Sequence, residues 1–126
     1  MNKQHTYTLT NTWTGNRGTG TNDYRAYDRS HRIEADEKQA IEASSDPAFR
    51  GDRTKFNPEE FLLASLSSCH MLWYLHLASD AGIVVHSYTD SPLGLGETLA
   101  SGAGRFLHAT LRPHIVVMRL RHGMVQ

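Results

Sequence analysis

From Phe61 to Ala78 the chain carries no Lys, Arg, Asp or Glu. A run of this length reads as a helix, and its start is marked. Asn57 suits an N-cap, Pro58 the first helical position, and Glu60 stands three residues after the cap. Glu59 and Glu60 also complement the positive end of the helix dipole. The pattern predicts a helix running to Ala81, stopped by Gly82, about 36 Å long at ~1.5 Å per residue. Such a helix is apolar nearly all round, so it is expected to be buried and central, wrapped by sheet or by another subunit. A single layer of strands has too little surface to wrap it, which predicts a homodimer.

The segments on either side read as strands. His5, Tyr7, Leu9, Asn11 and Trp13 alternate with Thr6, Thr8, Thr10 and Thr12, and this period of two with Thr and aromatics reads as a strand. Gly15, Gly18 and Gly20 make the next stretch a loop. Tyr24 to Ala35 is expected to be extended, with a bulge, and Glu37 to Ala43 completes a three-stranded N-terminal meander. Ser44 to Phe56 reads as an irregular connection, and connections of that length are more often functional than not. After the helix, Ile83 to Asp90 reads as a strand and Ser91 to Gly96 as a break. Arg105 to Met118 is a last strand notched by Pro113. Three strands, a long helix and two strands make an α+β fold.

The 126 residues suit a single domain, and neither a repeat nor a splitting linker is evident. Thirteen basic and thirteen acidic residues cancel. That balance leaves no electrostatic footprint for nucleic acid or an anionic membrane. No uninterrupted apolar stretch reaches the ~18–20 residues of a membrane span, and the first residues have no apolar signal core. One cysteine excludes an internal disulfide and a CxxC pair. With no export signal, a lone thiol fits a reducing compartment, so a cytoplasmic protein is expected. None of the eight histidines stands four residues from another, as a zinc-binding helix requires. Gly15 to Gly20 lacks the form of a phosphate loop. Neither a metal nor a cofactor is expected.

Cys69 is the residue with chemistry to explain. A lone helical cysteine is ordinarily a small core residue. Here Ser65, Ser67, Ser68 and His70 surround it in an otherwise apolar helix, which points to a cleft. An unassisted thiol titrates near ~8.5, and apolar surroundings raise that. Cys69 lies too deep in the helix for the dipole to help, so an arginine or a histidine must supply positive potential. Arg17 has the best setting, because a glycine-rich arm lets its backbone approach closely. Arg50, Arg53 and His70 have weaker claims, and His76 reads as a core or interface histidine.

Taken together, Trp13-Thr14-Gly15-Asn16-Arg17-Gly18, Ser44-Ser45-Asp46-Pro47, and Asn57-Pro58-Glu59-Glu60 with Ser65-Leu66-Ser67-Ser68-Cys69 resemble the OsmC/Ohr family of thiol peroxidases. The resemblance spans about residues 5 to 117. It implies an intertwined homodimer that reduces organic hydroperoxides. It also implies Cys69 as the peroxidatic cysteine, Arg17 as the loop arginine that activates it, and Glu59 as the carboxylate that orients that arginine. The family further has a resolving cysteine in a C-terminal segment. This sequence holds no second cysteine, and after about residue 118 it is expected to be atypical, as a truncation or a shifted reading frame would make it. The expected chemistry is therefore a peroxidase with an impaired cycle that relies on an external thiol reductant. Phe49, Phe56 and Trp73 favour a lipophilic peroxide. The rival reading is a non-catalytic, stress-associated binding or structural dimer of the same fold.

Overall fold

The computed structural model describes residues 2–119. The stretch after about residue 118, expected to be atypical, lies almost wholly outside them. The chain forms two compact units, one ending at Pro58 and one beginning at Glu59.

The first unit holds β1 (Thr10–Trp13), β2 (His31–Glu34) and β3 (Ile41–Ala43), an antiparallel sheet in that order. This is the meander read from the alternation, with shorter strands. The ladder begins at Thr10 opposite Glu34, so the alternating residues before Thr10 have no partner strand in this sheet. The middle strand starts at His31, not at Tyr24. Asp23 diverts the chain there: its carboxylate accepts from the Arg25 N–H and its carbonyl from the Ala26 N–H. A turn therefore replaces the expected bulge. Arg32 and Glu42 face each other across β2 and β3, 2.6 Å apart.

The connection after β3 is closely tied down. Ser44 is buried, and its hydroxyl accepts from the Asp52 N–H at 3.0 Å. Asp46 caps a short 3₁₀ turn, Pro47–Phe49, by accepting from the Ala48 N–H. Thr54 donates to the Asp52 carboxylate through both its hydroxyl and its N–H, which holds that carboxyl below its ordinary value.

The second unit holds most of α1 (Pro58–Asp80), followed by β4 (Ile83–Asp90), β5 (Leu93–Thr98), β6 (Gly104–Thr110) and β7 (Pro113–Arg119). β4 pairs with β7 and β5 with β6, all antiparallel. Four strands follow the helix where two were expected. Ser91 to Gly96, read as a break, contains most of β5. Its glycines mark close approach, not a turn. A Cβ on Gly94 would lie 2.6 Å from Phe106 Cζ and 3.1 Å from Leu63 Cδ1. The run read as one last strand divides into β6 and β7, and Pro113 opens β7 at the first-residue position where a missing N–H is tolerated.

The expected burial of α1 is met on one side only within the chain. Leu63, Ser67, Met71, Tyr74 and Ala78 recur every three or four residues and are at least half-buried. Along that line Leu63 meets Gly94, Ser67 meets Asp90 and Tyr74 meets Tyr88. On the other side Leu62, Leu66, Trp73 and Leu77 are exposed, Trp73 by 62%. By length and apolarity alone α1 could cross a membrane. Its middle, however, is the polar run from Ser65 to His70, placed where a bilayer penalises polar groups most.

Candidate functional site

Cys69 is a free thiol and is exposed. Its position follows from helix geometry. Leu62, Leu66, Cys69, Trp73 and His76 are spaced alternately by four and three residues, and this places them on one stripe. Glu59 continues the spacing towards the helix start. The stripe lies about 140° around the axis from the line that packs on the strands, and Cys69 itself about 160°, at ~100° per residue. The thiol is thus not packed as a core residue of its own unit. Trp73 and His76 stack along the stripe with ring centres 5.2 Å apart, and His76 Nε2 lies 3.4 Å from the Asp80 carboxylate.

The polar residues around Cys69 divide by direction. Ser67 and His70 face the strands. Ser67 donates to Asp90 Oδ2 at 2.6 Å, and His70 Nδ1 lies 2.8 Å from the Tyr88 hydroxyl. Asp90 Oδ1 also accepts from the Arg112 N–H at 2.7 Å. The Ser67 hydrogen bond is the main cause that holds the Asp90 carboxyl below its ordinary 3.8. Desolvation, with Asp90 close by, pushes the half-buried Tyr88 above its ordinary 10.0. These contacts explain two of the polar side chains without a cleft. Asp90 and Tyr88 were not legible as their partners, since each pairs with a helix residue 23 or 18 positions away and no local pattern marks it.

Arg17 lies in the first unit, in the loop between β1 and β2. Backbone bonds close that loop: Thr14 N–H to Ser30 O and Asp28 N–H to Gly15 O, both 2.9 Å. Gly15 is required there, because a Cβ would lie 1.9 Å from Asp28 O. Asn16 Oδ1 accepts from the N–H groups of Gly18 and Gly20 and fixes the arm around Arg17. The guanidinium donates through Nε to Ala26 O at 3.2 Å and through Nη2 to Arg25 O at 2.5 Å, with Asp28 Oδ1 3.8 Å from Nε. Arg17 therefore has a fixed direction. Arg50 ends the 3₁₀ turn in the left-handed conformation, with φ 62°.

Glu59 is exposed in the first turn of α1. The second unit contains both Glu59 and Cys69, ten residues apart and so about 15 Å along the axis. A carboxylate at that distance does not touch the thiol of its own helix. Among the described residues, no three His, Cys, Asp or Glu side chains gather as metal ligands.

A family model described as OsmC-like protein matches residues 51–117. That stretch begins just past the 3₁₀ turn and includes all of α1 and the strands through most of β7. No curated protein matches the chain. A solved structure of an OsmC-like protein of unknown function from Vibrio cholerae O1 is similar to it with a TM-score of 0.81 and 30% sequence identity. The match covers 93% of this chain and 78% of that one. The long helix followed by antiparallel strands, the family model over more than half of the sequence, and this likeness place the chain in the OsmC-like family.

Proposed function

We propose that the protein is a cysteine-based peroxidase that reduces organic hydroperoxides as part of a stress response, and that it works as a homodimer. The observation that carries this reading is the position of Cys69, an exposed thiol on the apolar stripe of α1 that its own strands leave uncovered. Core packing does not account for a cysteine there. A second copy laid on the stripe would dry the surroundings of the thiol and provide a lipophilic wall, including Trp73, for an alkyl or acyl peroxide.

The roles follow from charge. The Cys69 thiolate attacks the terminal peroxide oxygen, the O–O bond breaks, and the leaving alkoxide takes a proton to depart as the alcohol. Sulfur is oxidised to sulfenic acid and the peroxide is reduced. Arg17 stabilises the thiolate and binds the peroxide. Glu59 orients Arg17. It does so at a distance from the thiol of its own helix, or beside the thiol of the partner. A small external thiol then condenses with the sulfenic acid, releasing water, and a second one restores the cysteine.

The test is a thiol titration with an alkyl hydroperoxide. The expected result is rapid loss of one thiol per chain with one equivalent of alcohol formed, and no reaction in Cys69→Ser. A thiol that persists under excess alkyl hydroperoxide would instead support the stress-associated, non-catalytic dimer.

A further inference from the structure

The loop that presents Arg17 is itself organised around a second arginine. Arg29 is half-buried and lies against two tyrosine rings, 4.3 Å from the centre of Tyr24 and 3.8 Å from that of Tyr27. The rings meet edge to face, with centres 6.5 Å apart and planes at 87°. The same guanidinium donates through Nη1 to Tyr27 O at 2.6 Å and through Nη2 to Tyr24 O at 2.8 Å. Arg29 thus fixes both the side chains and the carbonyls of the two residues that flank Arg25 and Ala26. Those two residues supply the carbonyls that hold Arg17.

The geometry points to Arg29 as the positioning residue for Arg17. Nη1 and Nη2 each donate to a backbone carbonyl of the loop and the cation lies over two of its rings, so Arg29 serves the loop itself. It sets the path of residues 24–27, and with it the direction of the Arg17 guanidinium. Trp13 braces the same loop from β1 by donating from Nε1 to Asp28 O at 2.8 Å, and its ring meets Tyr27 edge-on at 5.8 Å. Lysine cannot replace Arg29. It lacks the planar fork that reaches two carbonyls at once while the cation stays over two rings.

The consequence for the thiol rests on the peroxidase reading, while the claim about Arg17 does not. Two measurements keep them apart. The first is the pH profile of iodoacetamide alkylation of Cys69 in wild type, Arg17→Ala, Arg29→Ala, Arg29→Lys and the double alanine variant. The expected result is an upward shift of the midpoint in Arg29→Ala and Arg29→Lys, by about half a unit or more. The double variant shifts no further than Arg17→Ala alone, because one residue acts through the other. Additive shifts, or no shift in Arg29→Ala where Arg17→Ala shifts, would overturn the inference. If Arg17→Ala shifts nothing, the peroxidase reading fails, and the second measurement decides for Arg29. That measurement is solvent exchange of the Arg17 Nε proton by NMR. It should accelerate in Arg29→Lys and in the milder Tyr24→Leu, while β1–β3 amides keep their protection. An unchanged Arg17 Nε proton in both variants would refute the positioning role.

Discussion

Trp73→Ala tests the uncovered stripe directly. In the single chain 62% of Trp73 is exposed. A tryptophan can bury up to roughly 250 Å², so about 150 Å² of ring awaits cover, or about 4 kcal/mol at ~25 cal/mol per Å². The alanine keeps a little of that contact, and buried area returns only in part as affinity, which leaves about 2–3 kcal/mol per ring. A two-fold interface on the stripe contains the ring twice, so the dimer should lose about 4–6 kcal/mol. That weakens association by roughly a thousandfold to ten-thousandfold, at ~1.4 kcal/mol per factor of ten. Sedimentation equilibrium of wild type and variant at micromolar concentration measures it, with circular dichroism to show that the helix content is kept. The wild type should be a dimer and the variant mostly a monomer. A monomeric wild type, or a variant as dimeric as wild type, would refute the assignment of the stripe to a second copy. So would a protein that leaves cell membranes only with detergent, since lipid would then be the cover.

Gly94→Ala places a methyl against Phe106 and Leu63 and should cost about 1–3 kcal/mol in urea unfolding, as overpacked cores do; Gly94→Ala with Phe106→Leu should recover part of it. Asp90 titrates below its ordinary 3.8 in the folded chain, so its contribution to stability is complete above that pH and is lost as pH falls through the folded value. Ser67→Ala should therefore flatten the acid limb of stability against pH, and an unchanged limb would count against the Ser67–Asp90 bond. Tyr88 is raised above 10.0, so its contribution is present below pH 10 and fades as pH climbs towards the folded value, a loss that Tyr88→Phe should abolish. With one cysteine in these 126 residues, excess peroxide without an added thiol should carry Cys69 on to sulfinic and sulfonic acids. Intact mass reads this, and disulfide-linked dimers in place of those acids would contradict it.

The helix was legible to within a residue or two because everything that defines it is local. Asn57, Pro58 and Glu60 mark its start, and the absence of charge from Phe61 to Ala78 marks its body. The first meander was legible in order but not in length, because the alternation before Thr10 reports a preference for extended backbone while the ladder needs a partner. β5 was missed because glycine has two meanings. In Gly94 it admits Phe106 and a helix leucine to the strand surface, a three-dimensional requirement that looks like a turn in one dimension. Arg17 could be singled out from the glycines around it. Arg29 could not, because its two rings and two carbonyls become neighbours only once the turn after Asp23 forms.

The proposed chemistry requires a cation at Cys69, and the helix that carries it leaves little choice of source. α1 has no basic residue apart from its histidines, and no lysine follows Lys55 in the sequence. Of the arginines in the second unit whose side chains are described, Arg105 is paired with Glu97 and Arg112 donates to Ser91 O. His70 is occupied with Tyr88, and His76 with Trp73 and Asp80. Arg17 is set apart by its arm: two backbone carbonyls hold it in one direction, with the Asp28 carboxylate 3.8 Å from Nε. Its guanidinium has five donors, and the contacts to Ala26 O and Arg25 O use two of them. Those two fix the plane of the fork and leave the others for an anion. A guanidinium immobilised in this way loses less freedom when it binds than one on a free side chain, so more of the electrostatic gain remains for stabilising a thiolate. Histidine as a residue type can change charge in the physiological range and arginine cannot. The reading that assigns the role to Arg17 thus also requires alkylation of Cys69 to follow a single titration between pH 5 and 9, with no second step from a histidine.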